Sequence, residues 1–77
     1  MNDKIITKTL TLTLEQLSEI EDCMIIAKER CKREREVWAK ASLEKNPDGT
    51  PTYKNAKSNA EYFDEKISKI NEIMKML

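Results

Sequence analysis

Two runs of apolar residues with the same spacing, separated by one short turn, constrain the fold of this chain more than any other feature. In both runs the apolar positions advance in alternating steps of three and four residues, the period of helices that pack along their lengths. The first seam is Leu17, Ile20, Met24, Ala27, Cys31, Glu34, Trp38 and Ala41, and the second is Tyr53, Ala56, Ala60, Phe63, Ile67, Ile70, Met74 and Leu77. The pattern predicts a mainly α fold, an antiparallel hairpin of two helices with a coiled-coil-like interface.

The start of the first helix and the turn are both marked by local signals. Thr13 with Gln16 three positions later matches a capping box, which opens a helix predicted over about residues 14–45. Residues 46–50 contain Asn-Pro-Asp-Gly, where proline presets φ and glycine accepts a positive φ. These residues are therefore predicted to form the turn of the hairpin.

The second helix is predicted over about residues 51–76. Thr50 followed by Pro51 is typical of an N-cap and a first helical residue. A chain of 77 residues is short enough to form one domain, so residues 1–77 are predicted to be a single unit.

An N-terminal strand is predicted over about residues 6–13. Threonines occupy the odd positions, while the even positions carry Ile6, Leu10, Leu12 and Leu14, with a lysine among them. Alternation with period two, rich in β-branched threonine, favours a strand with one apolar and one hydroxylated face. The sequence has no second strand signal, and an isolated strand leaves its backbone hydrogen-bonding groups unpaired. We therefore expect the strand to pair with another copy of the chain or with a target.

The end of the hairpin that carries the strand is predicted to be an oligomer interface. Several apolar residues near that end lie off the two seams, and a helix that is apolar on several faces must be buried on several faces. One strand and two helices cannot cover them, so the simplest expectation is a two-fold dimer with paired strands. The predicted interface residues are Ile6, Leu10, Leu12, Leu14, Ile25, Ile26 and Ile73.

The two cysteines indicate a reduced protein. Cys23 and Cys31 are eight residues apart on the predicted helix, roughly 12 Å along its axis, which is too far for a disulfide. We expect both to be small buried apolar residues. The sequence shows neither a secretory signal pattern nor an apolar run of membrane-spanning length, so a cytoplasmic protein without membrane association is expected.

The sequence offers no support for catalysis. It contains no histidine, no glycine-rich loop and no cysteine cluster of metal-binding spacing. Its many carboxylates alternate with lysine and arginine, as on a solvated helix face. We therefore predict that the protein is not an enzyme and has no catalytic residue, cofactor or metal.

Glu34 is the one charged residue on either seam. It is interpreted as a polar layer that sets the helix register, satisfied by Arg30 or by water. The other interpretation is a contact with a ligand or partner.

Positive charge is concentrated in the middle of the chain. Residues 1–27 have a net charge of −3 and residues 28–45 a net charge of +3. This part of the sequence is either a solvated helix face or an anion site for nucleic acid, a nucleotide or an acidic protein surface, to which Trp38 could add stacking. Zero net charge overall and the interleaved glutamates argue against nucleic acid. The candidate anion-binding or partner-binding residues are Arg30, Lys32, Arg33, Arg35, Lys54 and Lys57.

Two resemblances suggest settings for such a protein. Residues 6–17, a strand running into a capped helix, resemble the opening of ribbon-helix-helix repressors, which implies that Thr7, Thr9 and Thr11 face the major groove of DNA. Those repressors turn after a short first helix, whereas the helix predicted here is about thirty residues long. The order of strand, long helix, turn and heptad helix resembles small phage and prophage proteins, some of which are homo-oligomeric counter-defence proteins.

Together these observations predict a homo-oligomeric binding protein. The phage resemblance implies an inhibitor that occludes a host protein or sequesters an anionic small molecule. Two alternatives stay open, a DNA-binding regulator that uses a two-stranded ribbon or the basic hairpin tip, and a structural subunit for phage assembly.

Overall fold

The computed structural model describes residues 4–77, which form a hairpin of two helices. The first helix, α1, is Leu14–Ala41, and the second, α2, is Ala56–Met76. The two helices pack against each other within an envelope of 58 × 29 × 13 Å. Its smallest dimension is close to the diameter of one helix, about 10–12 Å, so the hairpin is a single layer. The predicted antiparallel helical hairpin is therefore consistent with the structure, and within residues 4–77 no third element covers its two broad faces.

The capping box predicted at the start of α1 is confirmed. The Thr13 hydroxyl accepts a hydrogen bond from the Gln16 N–H at 3.1 Å, and the Gln16 side chain accepts one from the Thr13 N–H at 3.0 Å. Thr13 has extended backbone angles, φ −72° and ψ 161°. Two otherwise unsatisfied donors at the helix start are thus bonded by residues three positions apart, and a cap of this kind stabilises a helix by about 1 kcal/mol.

The turn predicted at residues 46–50 is also confirmed. Gly49 has a φ of +88°, which an L-residue with a Cβ rarely adopts, and its N–H donates to the Asn46 carbonyl at 2.9 Å. The Asn46 N–H in turn donates to the Thr50 carbonyl at 2.8 Å. The chain reverses direction here as the Asn-Pro-Asp-Gly sequence predicts.

The loop around this turn is longer than predicted, because α1 ends at Ala41 rather than near residue 45. The residues after Ala41 form hydrogen bonds across the loop instead of continuing the helix. The Glu44 carbonyl accepts from the Thr52 N–H at 3.1 Å, and an isolated antiparallel bridge joins Lys45 to Pro51. These bonds satisfy backbone groups that a longer helix would have used.

The prediction that Thr50 and Pro51 begin the second helix is wrong. The Thr50 hydroxyl and N–H both donate to Asp48 Oδ1, at 2.6 and 2.9 Å, so they are engaged within the turn. These two hydrogen bonds hold the pKa of Asp48 below its ordinary value of 3.8, and the bond from the Thr50 hydroxyl has the larger effect. α2 begins five residues later at Ala56, after Asn55, whose side chain makes no capping hydrogen bond.

The two seams are largely confirmed by burial. The predicted positions that are buried or half-buried are Leu17, Ile20, Met24, Cys31, Glu34, Trp38 and Ala41 on α1, and Ala56, Ala60, Phe63, Ile67, Ile70 and Met74 on α2. Tyr53 and Leu77 are exposed because they lie outside α2. Ala27 is exposed while Lys28 is half-buried, since a helix of 3.6 residues per turn drifts from a 3.5-residue pattern. Among residues 4–77, only Cys31, Ala56 and Ile70 are buried.

The strand predicted over residues 6–13 is not formed in the single chain. Residues 4–13 have neither helical nor strand structure, and the part of the chain that the structure describes contains no strand at all. The physical reason is that the predicted strand needs a partner strand. A strand is stabilised by hydrogen bonds to a neighbouring edge, and the hairpin offers none. For residues 4–77, neither helix is both long enough and apolar enough to cross a membrane.

Candidate functional site

The candidate functional site is the open end of the hairpin, formed by the N-terminal segment, the start of α1 and the end of α2. We call it the apolar end. All its predicted interface residues are exposed in the single chain: Ile6, Leu10, Leu12, Leu14, Ile25, Ile26 and Ile73. Leu14, the first residue of α1, is 83% exposed, and Met76 at the end of α2 is 81% exposed. Large apolar side chains gathered in this way are typical of an interaction surface.

A groove at the apolar end connects the N-terminal segment to α1. It has a volume of about 450 Å³ and is lined by Leu12, Gln16, Glu19, Ile20, Cys23 and Met24. No residue of α2 lines this groove. The first helix is also the longer one, since α1 has 28 residues and α2 has 21. Leu12 is 39% exposed, the least of the large apolar residues in residues 4–14. Leu12 is therefore the residue through which the apolar face of the N-terminal segment meets α1.

Cys23, in the wall of this groove, differs from the prediction that both cysteines are buried. Cys31 is buried on the seam, as expected, but Cys23 is exposed, and its thiol lies 3.8 Å from Glu19 Oε1. Cys23 is eight residues before Cys31, a spacing that a helix places about 80° apart around its axis. The structure therefore places Cys23 on the uncovered apolar end and Cys31 in the helix interface.

The basic candidate residues lie in the second half of α1, in the loop and in the first turn of α2, with Arg30 one helical turn beyond Ile26. Arg35 Nε lies 3.4 Å from Asp64 Oδ1 on α2, and Lys32 Nζ lies 3.5 Å from Glu29 Oε1. Exposed pairs of this kind contribute about 0–1 kcal/mol, so they leave these side chains free to exchange partners. Within residues 4–77, no ion pair engages the other predicted basic residues, Arg30, Arg33, Lys54 and Lys57.

The hairpin tip carries a groove that the sequence patterns did not indicate. It has a volume of about 440 Å³ and is lined by Val37, Trp38, Lys40, Ala41, Glu44 and Tyr53. Val37 and Tyr53 are both exposed. The signal that could have found it is Val37, an apolar residue beside Trp38 but off the seam. Apolar and basic groups therefore occur together at the tip.

Glu34 is half-buried in the helix interface, as its seam position predicts. The expected partner Arg30 is not within 4.0 Å of it, and among residues 4–77 no other ion pair to Glu34 is formed. A half-buried carboxylate without a charged partner loses hydration without full compensation.

Replacing Glu34 by leucine is expected to stabilise the protein. Adding apolar contact at this half-buried seam position should raise the free energy of unfolding by about 1 kcal/mol, which is several degrees in melting temperature for a chain of this size. Thermal unfolding followed by circular dichroism measures the shift, with Glu36→Leu, on an exposed position, as the matched control. A lower melting temperature for Glu34→Leu would show that Glu34 makes a stabilising contact.

The titratable residues form no recognisable catalytic or metal centre in the described structure. Residues 4–77 contain no group of three or more histidine, cysteine, aspartate or glutamate side chains placed to hold a metal ion. The one carboxyl with a clearly shifted pKa, Asp48, is bonded within the turn.

Comparisons with protein-family models, with curated proteins and with solved structures found no match for this chain.

Proposed function

We propose that the protein is a non-enzymatic binding protein that self-associates through its apolar end and presents its basic tip to an anionic partner. The observation that carries this proposal is the exposure of the apolar end. Seven large apolar residues predicted to lie in an interface are all accessible to solvent in the single chain. They span the N-terminal segment and both helices.

The weak core of the single hairpin supports self-association. In the described part of the chain only Cys31, Ala56 and Ile70 are buried, and no large side chain there is completely enclosed. A domain below about 80 residues has little stability to spare unless a disulfide, a metal or an oligomer adds to it. Both cysteines are free in the structure. Burial of apolar surface contributes roughly 25 cal/mol per Å², so covering the apolar end in a second copy would add substantial stability.

The charge distribution supports an anionic partner at the other end. The basic residues cluster between positions 28 and 57, whereas the regions on either side are acidic on balance. Self-association through the apolar end would leave the basic tips of both copies facing outward. An acidic protein surface or an anionic small molecule fits this field, and occlusion or sequestration of such a target would make the protein an inhibitor.

Sedimentation equilibrium at micromolar concentration tests the self-association directly. The mass of one chain is 9.0 kDa, and the proposal predicts at least twice that mass. The same sample should bind a polyanion such as heparin, with an affinity that falls as salt is added. A stable monomer would overturn the proposed self-association. An oligomer that does not bind heparin would overturn the proposed anionic partner.

The runner-up is a DNA-binding regulator. It is favoured by Arg30 and Arg33, which form no ion pair in the described residues, and by the exposed threonines of the N-terminal segment. Electrophoretic mobility shift at low and moderate salt separates the two functions. A regulator would bind duplex DNA with a steep salt dependence and prefer some sequences, whereas an inhibitor of a protein would show no sequence preference.

A further inference from the structure

The capping box of α1 determines which edge of the N-terminal segment is free to pair. The Thr13 N–H donates to Gln16 Oε1 at 3.0 Å, and the Thr13 carbonyl accepts from the Leu17 N–H at 3.0 Å. In an extended chain the N–H and C=O groups of alternate residues point to the same edge. At the junction with the helix, the backbone groups on the edge that includes Thr13 are therefore already hydrogen-bonded to residues of α1. The opposite edge, formed by the even-numbered residues up to Leu12, has no such engagement.

The alternation of side chains limits how two copies can pair along that edge. Residues directly opposite each other in an antiparallel pair lie on the same face of the ribbon. To keep apolar side chains on one face, even-numbered residues must lie opposite even-numbered residues. Every two-fold register centred on a residue satisfies that condition, and those that pair at least five of residues 6–12 are centred on Lys8, Thr9 or Leu10.

Charge and ladder length distinguish these registers. The register centred on Lys8 places the two Lys8 ammonium groups directly opposite each other, which is destabilising. The register centred on Leu10 places Ile6 opposite Leu14, which is already the first residue of α1, so the ladder is shortened. The register centred on Thr9 avoids both problems and uses the whole of residues 6–12.

We propose that two copies of this chain pair as an antiparallel two-stranded ribbon over residues 6–12, with Thr9 on the two-fold axis. The inference rests on the proposed self-association and specifies its partner and register. Ile6 lies opposite Leu12 of the second copy, Lys8 opposite Leu10, and Thr7 opposite Thr11. The two Lys8 residues become diagonal neighbours about 7–8 Å apart, farther than a directly opposite pair.

The apolar face of this ribbon fits the groove already described on α1. Leu12 lines that groove together with Ile20 and Met24, so the even-numbered face is directed at α1 where the segment joins it. The ribbon would extend this contact through Leu10 and Ile6 across the apolar end. The threonine face would point away from the helices.

Cysteine cross-linking tests the register. In this ribbon the even-numbered residues carry the hydrogen bonds, so Thr9 forms a non-hydrogen-bonded pair with Cα atoms about 4.5 Å apart, within reach of a disulfide. Thr7 lies opposite Thr11, so the two copies of Thr7 are roughly 14 Å apart. In a Cys23→Ser background, Thr9→Cys should form a disulfide-linked dimer at least roughly tenfold faster than Thr7→Cys. The background without an added cysteine measures any contribution from buried Cys31.

A mixture provides a second readout of the same register. Thr7→Cys and Thr11→Cys should each cross-link slowly alone and rapidly when mixed, because only the mixture places two thiols opposite each other. If sedimentation shows a dimer but Thr9→Cys does not cross-link faster than Thr7→Cys, the register is wrong and self-association stands. If the parent protein sediments as a monomer, the register and the proposed self-association are both overturned.

Discussion

Replacing Leu12 by aspartate is expected to separate the oligomer into monomers. Leu12 is 39% exposed in the single chain and lines the groove on α1, so an interface over the apolar end would bury it further. Full burial of a leucine is worth about 1.5–3 kcal/mol, and a two-fold dimer loses two of them. Aspartate also places two carboxylates in the interface. The dissociation constant should rise about a hundredfold or more, and sedimentation at micromolar concentration should report a single chain.

The position of Leu12 makes this substitution a test of the interface rather than of folding. An aspartate just before the N-terminus of α1 interacts favourably with the helix dipole, so the helical circular dichroism signal should be retained. Thr11→Asp is the matched control, because it introduces the same charge one residue away on the opposite face of the segment. It should leave the mass unchanged. Equal effects of both substitutions, or an oligomer that survives Leu12→Asp, would contradict an interface on the even-numbered face.

Replacing Ile70 by alanine is expected to be the most destabilising single truncation in the helix interface. Ile70 is 9% exposed and is the largest of the three buried residues. Truncating a buried isoleucine to alanine costs about 2–5 kcal/mol, which is a large part of the roughly 5–15 kcal/mol that stabilises a folded domain. Urea denaturation should show a much lower midpoint with little change in slope.

Ile73→Ala, one turn further along α2, is the comparison that distinguishes a residue of the hairpin core from a residue of the apolar end. Ile73 is 46% exposed in the single chain, so its truncation should cost little when the protein is dilute and monomeric. At concentrations where the oligomer forms, the cost should increase, because folding and association are linked. Ile70→Ala should be severe at every concentration. The same concentration dependence for both substitutions would contradict the assignment of Ile70 to the core and Ile73 to the interface.

The features that the sequence predicts well are those decided by near neighbours in the chain. The capping box joins Thr13 to Gln16, and the turn joins Asn46 to Gly49, so each needs only three or four residues. The seams are also predictable, because their period depends only on helix geometry. The drift of burial from Ala27 to Lys28 shows the limit of that argument, since an ideal helix does not keep a strict 3.5-residue repeat.

The extent of the loop could not be predicted from the same local signals. Thr50 and Pro51 have the residue types of a helix start, yet Thr50 is bonded to Asp48 and Pro51 bridges to Lys45. Hydrogen bonds between the two sides of the loop compete with the helix ends, and the tertiary arrangement decides which are formed. The tip groove beside Trp38 has the same origin, because Tyr53 reaches it only from the loop.

The N-terminal segment shows most clearly what the sequence determined by itself and what required the tertiary structure. The alternation of threonine and leucine determined that the segment has two faces, since side-chain direction in an extended chain depends only on position. Whether those faces belong to a strand was decided by the tertiary structure, in which residues 4–13 form none within a single chain. A helix satisfies its backbone from within its own residues, so helix positions can be predicted locally. A strand needs hydrogen bonds from a second edge, and the hairpin provides no such edge to this segment.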